Sequence, residues 1–100
     1  MAASDERRVR QAKRGKHMAY TVTEHARDAM AKRGIRVEWL ERTLAAPQLR
    51  EPDKMDSDLE HRLGVIADFG NRVLRVIVNI RVNPERVITA YFDRGMRGKL

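Results

Sequence analysis

The chain has 100 residues, 42% hydrophobic and 35% charged, with a net charge of +7 and no cysteine. A chain this short builds one thin core, so two nested domains or a large enclosed cofactor cavity are excluded, as are disulfide scaffolds, thiolate nucleophiles and Cys-ligated zinc. No apolar run approaches the ~20 residues that cross a bilayer, and the first residues lack the apolar stretch of a secretory signal, so a cytoplasmic protein without a membrane partner is expected.

The positive charge is uneven. Residues 1–17 hold six basic and two acidic residues, residues 93–100 hold three and one, and residues 19–92 are nearly balanced with twelve and eleven. This divides the chain into a basic N-terminal extension (1–18), a folded domain (19–93) and a basic tail (94–100). Clustered Lys and Arg attract polyanions by releasing counterions. Arg7, Arg8, Arg10, Lys13 and Arg14 in the head, with Arg94 and Lys99 in the tail, are therefore candidate nucleic-acid contacts. A solubilising surface is the other reading of the same residues. Ser4 is placed to cap a short basic helix through Arg14 that Gly15 ends, and only Val9 and Ala12 give it apolar contact, so it is expected to be frayed or disordered unless bound.

Tyr20–Val22 is a short extended entry, and Thr23 is an N-cap. The spacing of Ala26, Ala29 and Met30 predicts a helix that Gly34 ends. A second helix is predicted over 37–45, with Val37, Leu40 and Leu44 on one side, Trp39 beside that stripe as core or edge packing, and Pro47 closing it. Residues 48–52 are weakly strand-like and 53–58 form a polar loop. Strands follow at 60–67, 72–80 and 86–92, with turns at Asp68-Phe69-Gly70-Asn71 and Asn83-Pro84. The order predicts an α+β fold: a helical hairpin on one face of a three- to four-stranded antiparallel sheet.

Alternation assigns the two faces. Leu74, Val76, Val78 and Ile80 form the helix-facing set of the middle strand, and Leu63, Val65 and Ala67 match them from the first. A two-residue turn at Phe69-Gly70 sets Leu63 beside Val76 and Gly64 beside Arg75. In the last strand Ile88, Ala90 and Phe92 suit the core, and an odd-length loop sets Arg75 beside Tyr91 and Ile77 beside Thr89. The open face then carries Arg62, Arg75, Thr89 and Tyr91. These residues read either as a site or as ordinary cross-strand cover.

The histidines at 17, 25 and 61 have no i, i+4 pairing and no clustered carboxylates, so no metal site is expected, and no cofactor motif is present. Arg, Tyr, Thr and His remain, and these groups suit RNA cleavage by attack of the 2′-hydroxyl on the adjacent phosphorus. Arg75 and Arg62 are placed to stabilise the phosphorane charge, Tyr91 to stack on a base or assist proton transfer, and Thr89 to hold a phosphate oxygen. His25 is the candidate base, with helix capping or packing as its other role. Arg33 reads as a contact or as a partner of the helix dipole, and Arg27 is a further candidate contact.

The run His25-Ala26-Arg27, Met30 and Arg33-Gly34-Ile35, followed by Pro47, Leu74-Arg75-Val76 and Val87-Ile88-Thr89-Ala90-Tyr91, resembles a family of small bacterial domains of unknown function similar to the BrnT and RelE/ParE toxin superfamily. The resemblance spans about residues 20–93. It implies two helices on an antiparallel sheet, mRNA interferase activity on RNA that includes ribosome-bound mRNA, and a small acidic antitoxin as partner, with a homodimer as a further state. It places His25, Arg33, Arg75, Thr89 and Tyr91 at the motif positions. ParE-type relatives act on DNA gyrase, so a non-catalytic, gyrase-directed or nucleic-acid-binding module is the alternative.

Overall fold

Thr23 sets the start of the first helix. In a computed structural model that describes residues 20–100, its Oγ1 accepts the Ala26 amide at 3.0 Å and donates to the Ile88 carbonyl at 3.3 Å. This cap joins the edge strand β1 (Tyr20–Val22) to helix α1 (Glu24–Arg33) and ties both to the sheet. Gly34 ends α1 at φ 66°, a left-handed conformation that other residues adopt at a cost, and the Ile35 amide then reaches the Met30 carbonyl at 2.9 Å. Thr23→Ala is expected to lower stability by about 1 kcal/mol in urea unfolding, while Thr23→Ser keeps most of it. The predicted basic helix through Arg14, and Arg7, Arg8, Arg10, Lys13 and Arg14 with it, lie outside the described residues.

Helix α2 (Val37–Ala45) buries Trp39, Leu40, Thr43 and Leu44. Val37, expected on the buried stripe, is 52% exposed. Trp39 takes the inward place because its ring finds partners: it stacks on Phe69 at 5.2 Å and meets Phe92 edge-on at 6.2 Å, and its indole N–H donates to Asp68 at 3.2 Å. A large aromatic surface outweighs one valine in setting the helix's rotation.

The sheet has five strands, one more than the upper expectation, in the order β1-β5-β4-β3-β2. β2 (Leu49–Pro52), β3 (Leu59–Ile66), β4 (Arg72–Asn79) and β5 (Glu85–Phe92) form an antiparallel run. β1 joins the far edge parallel to β5, so the sheet is mixed. Both helices cover one face, α1 against β5 and α2 against β3 and β4. Their core unites Ala26, Met30, Leu40 and Leu44 with Leu74, Val76, Val78, Val87 and Ala90. Gly64 permits the close approach of α2: a Cβ there would stand 3.1 Å from Thr43 Oγ1.

The turn between β3 and β4 corrects the expected register. Its five residues, 67–71, include a single 3-10 turn (Ala67–Phe69) and two left-handed positions, Gly70 at φ 66° and Asn71 at φ 57°. Ile66 therefore pairs with Arg72, Leu63 with Arg75, and Arg62 with Val76. A one-residue shift inverts a whole strand. Glu60, Arg62, Gly64 and Ile66 consequently point to the helices, and His61, Leu63 and Val65 point away. Arg62, expected on the open face, is 2% exposed beneath the helices.

The β4–β5 pairing falls as expected across the centre, with Arg75 opposite Tyr91 and Ile77 opposite Thr89. Beyond Thr89 a β-bulge intervenes, and Val78 pairs with Val87. Val87, expected on the open face, is fully buried in the core, and Ile88 becomes the extra, half-buried residue of the bulge.

Candidate functional site

On the face away from the helices, two cross-strand rows run side by side. One is Leu49, Leu63, Arg75 and Tyr91, and the other is Glu51, His61, Ile77 and Thr89. Four charged or polar residues converge on Arg75. Its Nη1 donates to His61 Nδ1 at 2.7 Å and to Glu51 at 3.4 Å, its Nε donates to Asp93 Oδ2 at 2.8 Å, and its Nη2 lies 2.7 Å from the same oxygen. Tyr91 flanks it on β5. The backbone produces this arrangement: β5 continues past Phe92 so that the Asp93 amide bonds the Val73 carbonyl, which leaves the Asp93 side chain on the same face as Arg75.

His61 links that cluster to the loop after β2. Its Nε2 stands 2.7 Å from Asp53 Oδ1. Arginine donates and never accepts, so the Nδ1 that meets Arg75 is the acceptor and Nε2 carries the proton given to Asp53. Asp53 also accepts the amides of Met55 and Asp56 at 3.0 Å each. These hydrogen bonds hold its carboxyl below the usual carboxylate range, the one from His61 most strongly, followed by the two amides. For Arg75, burial is the largest single influence and opposes the charge, but the hydrogen bond and charge of Asp93, together with Tyr91 and Glu51, outweigh it and carry the pKa above arginine's ordinary value. The side chains of His61 and Arg75 keep 16% and 13% of their exposure, so the cluster is shielded yet reachable from solvent.

The lowered pKa of Asp53 has a stability consequence with a definite sign. A carboxylate more acidic in the folded chain stabilises the fold above its unfolded pKa and loses that contribution as pH falls through its folded value. Acid titration is therefore expected to leave the Asp53–His61 contact intact down to about pH 4 and to release it below that. Carbon-13 NMR of the Asp53 carboxyl, read with the His61 ring signals, follows the release, and Asp53→Asn removes the step.

Arg62 forms a second ionic cluster under α2. Its Nε donates to Glu60 at 2.9 Å, Nη2 to Glu85 at 3.1 Å and Nη1 to the Leu44 carbonyl at 3.4 Å. Burial works against its charge, but hydrogen bonds to Glu85 and Glu60 prevail and raise its pKa above the ordinary value. With its donors committed there, Arg62 is a structural cation and does not belong to the open-face cluster.

The predicted site residues separate accordingly. Arg75, Thr89 and Tyr91 share one face. His25 is exposed on α1, in the helix layer on the other side of the sheet, and is not the base of an open-face site. Arg27 and Arg33 are exposed on the same helix, and Arg94 and Lys99 are exposed in the tail. His61, Glu51, Asp53 and Asp93 are the additions. Among the described residues no group of three or more His, Asp or Glu side chains is arranged to hold a metal ion, and no helix is long and apolar enough to cross a membrane.

Residues 22–92 match the family described as a domain of unknown function (DUF4258). No curated protein and no solved structure matches the chain. The family match takes in both helices, β2 to β5 and all of the open-face cluster except Asp93. The chain belongs to the DUF4258 family.

Proposed function

We propose that the chain is a toxin-like, metal-independent endoribonuclease that works on the open face, of the kind found in the BrnT and RelE/ParE superfamily. The observation that carries this reading is the hydrogen-bonded chain Asp53–His61–Arg75, with Tyr91 alongside Arg75. The substrate supplies its own nucleophile. The scissile phosphate takes Nη1 of Arg75, which releases the lone pair of His61 Nδ1. That nitrogen removes the proton of the 2′-hydroxyl as its oxygen bonds phosphorus, and Asp53 steadies the imidazolium through Nε2–H. The P–O5′ bond breaks, and the leaving oxygen takes a proton from the Tyr91 phenol or from the imidazolium. The products are a 2′,3′-cyclic phosphate and a 5′-hydroxyl. Arg75 neutralises the charge that builds on the phosphorane, and Thr89 hydrogen-bonds a phosphate oxygen.

RNA, including mRNA on the ribosome, is the proposed substrate, and a small acidic antitoxin is the proposed partner of this basic chain. The test is incubation of the full chain, without partner, with RNA in the presence of a chelator, with and without ribosomes. Fragments ending in cyclic phosphate are expected; intact RNA in both arms overturns the reading. One observation favours a non-catalytic binding module instead: Asp93 and Glu51 already occupy Arg75. Binding of gyrase or RNA by the same chain with no cleavage is the result that reading expects.

A further inference from the structure

Where β4 begins and β5 ends, the surface opens into a cavity of about 390 Å³ lined by Arg72, Val73, Phe92, Asp93, Arg94 and Arg97. Small-ligand sites start at roughly 300 Å³. Among the described residues no carboxylate forms a salt bridge with any of the three arginines. The Arg72 guanidinium lies over the Phe69 ring at 4.6 Å, and Arg97 donates to the Gly70 carbonyl at 2.8 Å. Asp93, the one acid of the lining, is engaged by Arg75 and by the Gly95 amide. The cavity thus has an excess of positive charge beside an apolar wall formed by the partly exposed Phe92, Val73 being almost fully buried.

That combination selects the ligand's chemistry. A carboxylate is satisfied by a single guanidinium, whereas a phosphate offers enough oxygens for several planar donors at once. The apolar wall suits a flat ring carried on the same molecule. We propose that this cavity binds one ribonucleotide, with its phosphate on Arg72, Arg94 and Arg97 and its base against Phe92. The inference rests on the proposed function only in making that nucleotide part of an RNA strand. Asp93 borders the cavity and grips Arg75, so a strand seated here presents its next phosphate to the His61–Arg75 pair.

The test is a titration of the full nitrogen-15-labelled chain with adenosine 5′-monophosphate, adenosine, inorganic phosphate and a 2′-deoxy-blocked oligoribonucleotide that cannot be cut. The monophosphate is expected to shift residues 72–73 and 92–97 and to bind about tenfold more tightly than phosphate or adenosine alone. Arg94→Ala with Arg97→Ala is expected to weaken it about tenfold or more with an unchanged fold, while Lys32→Ala, exposed on α1, stays within about twofold. Equal binding of phosphate and monophosphate, shifts centred on Arg27 and Arg33, or unchanged affinity in the double variant overturns the proposal. Tighter binding of the oligonucleotide than of the monophosphate supports the strand assignment, and the reverse order overturns that part. Cleavage is scored separately. Nucleotide binding here without cleavage sinks the endoribonuclease reading and leaves the cavity; cleavage with unchanged KM in the double variant does the opposite.

Discussion

Replacing Arg62 by alanine is expected to lower folding stability by about 3 kcal/mol, the lower end of the range for breaking a buried ion pair. The guanidinium is 2% exposed and is held by Glu60, Glu85 and the Leu44 carbonyl. Its removal leaves two carboxylates facing each other under α2 with their compensating charge gone. The Glu60 and Glu85 side chains retain 18% and 24% of their exposure, and water reaching them moderates the loss. Glu85 Oε1 already lacks a hydrogen-bond partner, so Glu85 has little to fall back on. Against a total stability of about 5–15 kcal/mol for a domain, the variant sits close to unfolding at 37 °C. Urea denaturation gives the value. Arg62→Lys is expected to recover only part of the loss, because an ammonium cannot span three acceptors in one plane. Arg62→Met combined with Glu60→Leu and Glu85→Leu is expected to recover most of it, since the desolvation penalty leaves with the charges. A loss below about 0.5 kcal/mol in the single variant would place Arg62 among surface substitutions and contradict its buried role.

Arg62 also shows where the sequence misleads. On β3 the residues pointing away from the helices, His61, Leu63 and Val65, are the more apolar set. The set beneath the helices includes Glu60, Arg62 and Gly64. Alternation therefore votes for the wrong face, and only the turn length decides. Asn71 is the hint in the sequence: Asn tolerates left-handed backbone nearly as Gly does, and two adjacent left-handed positions after a 3-10 turn lengthen the connection to an odd count. Other parts of the architecture are readable because their signals are local. Thr23 and Gly34 bound α1, and the apolar residues of β4 form a run that needs a covered face. The pairing of Arg75 with Tyr91 comes out as expected, but not through an odd-length loop: beside the turn Asn79 pairs with Arg86, which leaves an even-numbered connection, and the extra residue of the bulge restores the expected phase. His61 was not legible as a site residue. Its importance arises only when β3 is phased correctly and Asp53, eight residues earlier in a loop, folds back onto it. The parallel edge strand β1 was equally hidden, because three residues carry no period and their pairing with Glu85–Val87 is a tertiary fact.

On the proposed endoribonuclease reading, His61→Ala is expected to reduce RNA cleavage by about 10²–10⁴-fold, the usual range for losing a positioned acid–base group. Arg75→Ala is expected to cost about 10²–10³-fold, the range for removing one charge-stabilising donor from a transition state. The two losses should not multiply, because Arg75 orders His61 through Nδ1 and each substitution disables the other residue. A merely structural cluster behaves differently. If Arg75 serves only to join Asp93, Glu51 and His61, then Arg75→Lys, which keeps a charge between the acids, retains both stability and cleavage. If Arg75 binds the phosphorane, the lysine variant keeps the melting temperature within a few degrees and loses most of kcat, since a point charge cannot replace a planar fork. Asp53→Asn separates the roles further: it leaves the imidazole in place but replaces the carboxylate that steadies the imidazolium by a neutral amide, so kcat is expected to fall. His25→Ala, on the far side of the sheet, leaves kcat as it is. Cleavage that persists at the wild-type rate in His61→Ala would move the chemistry away from this row altogether, and the Asp53–His61–Arg75 contacts would then stand as the clasp that fixes the loop after β2 against the sheet.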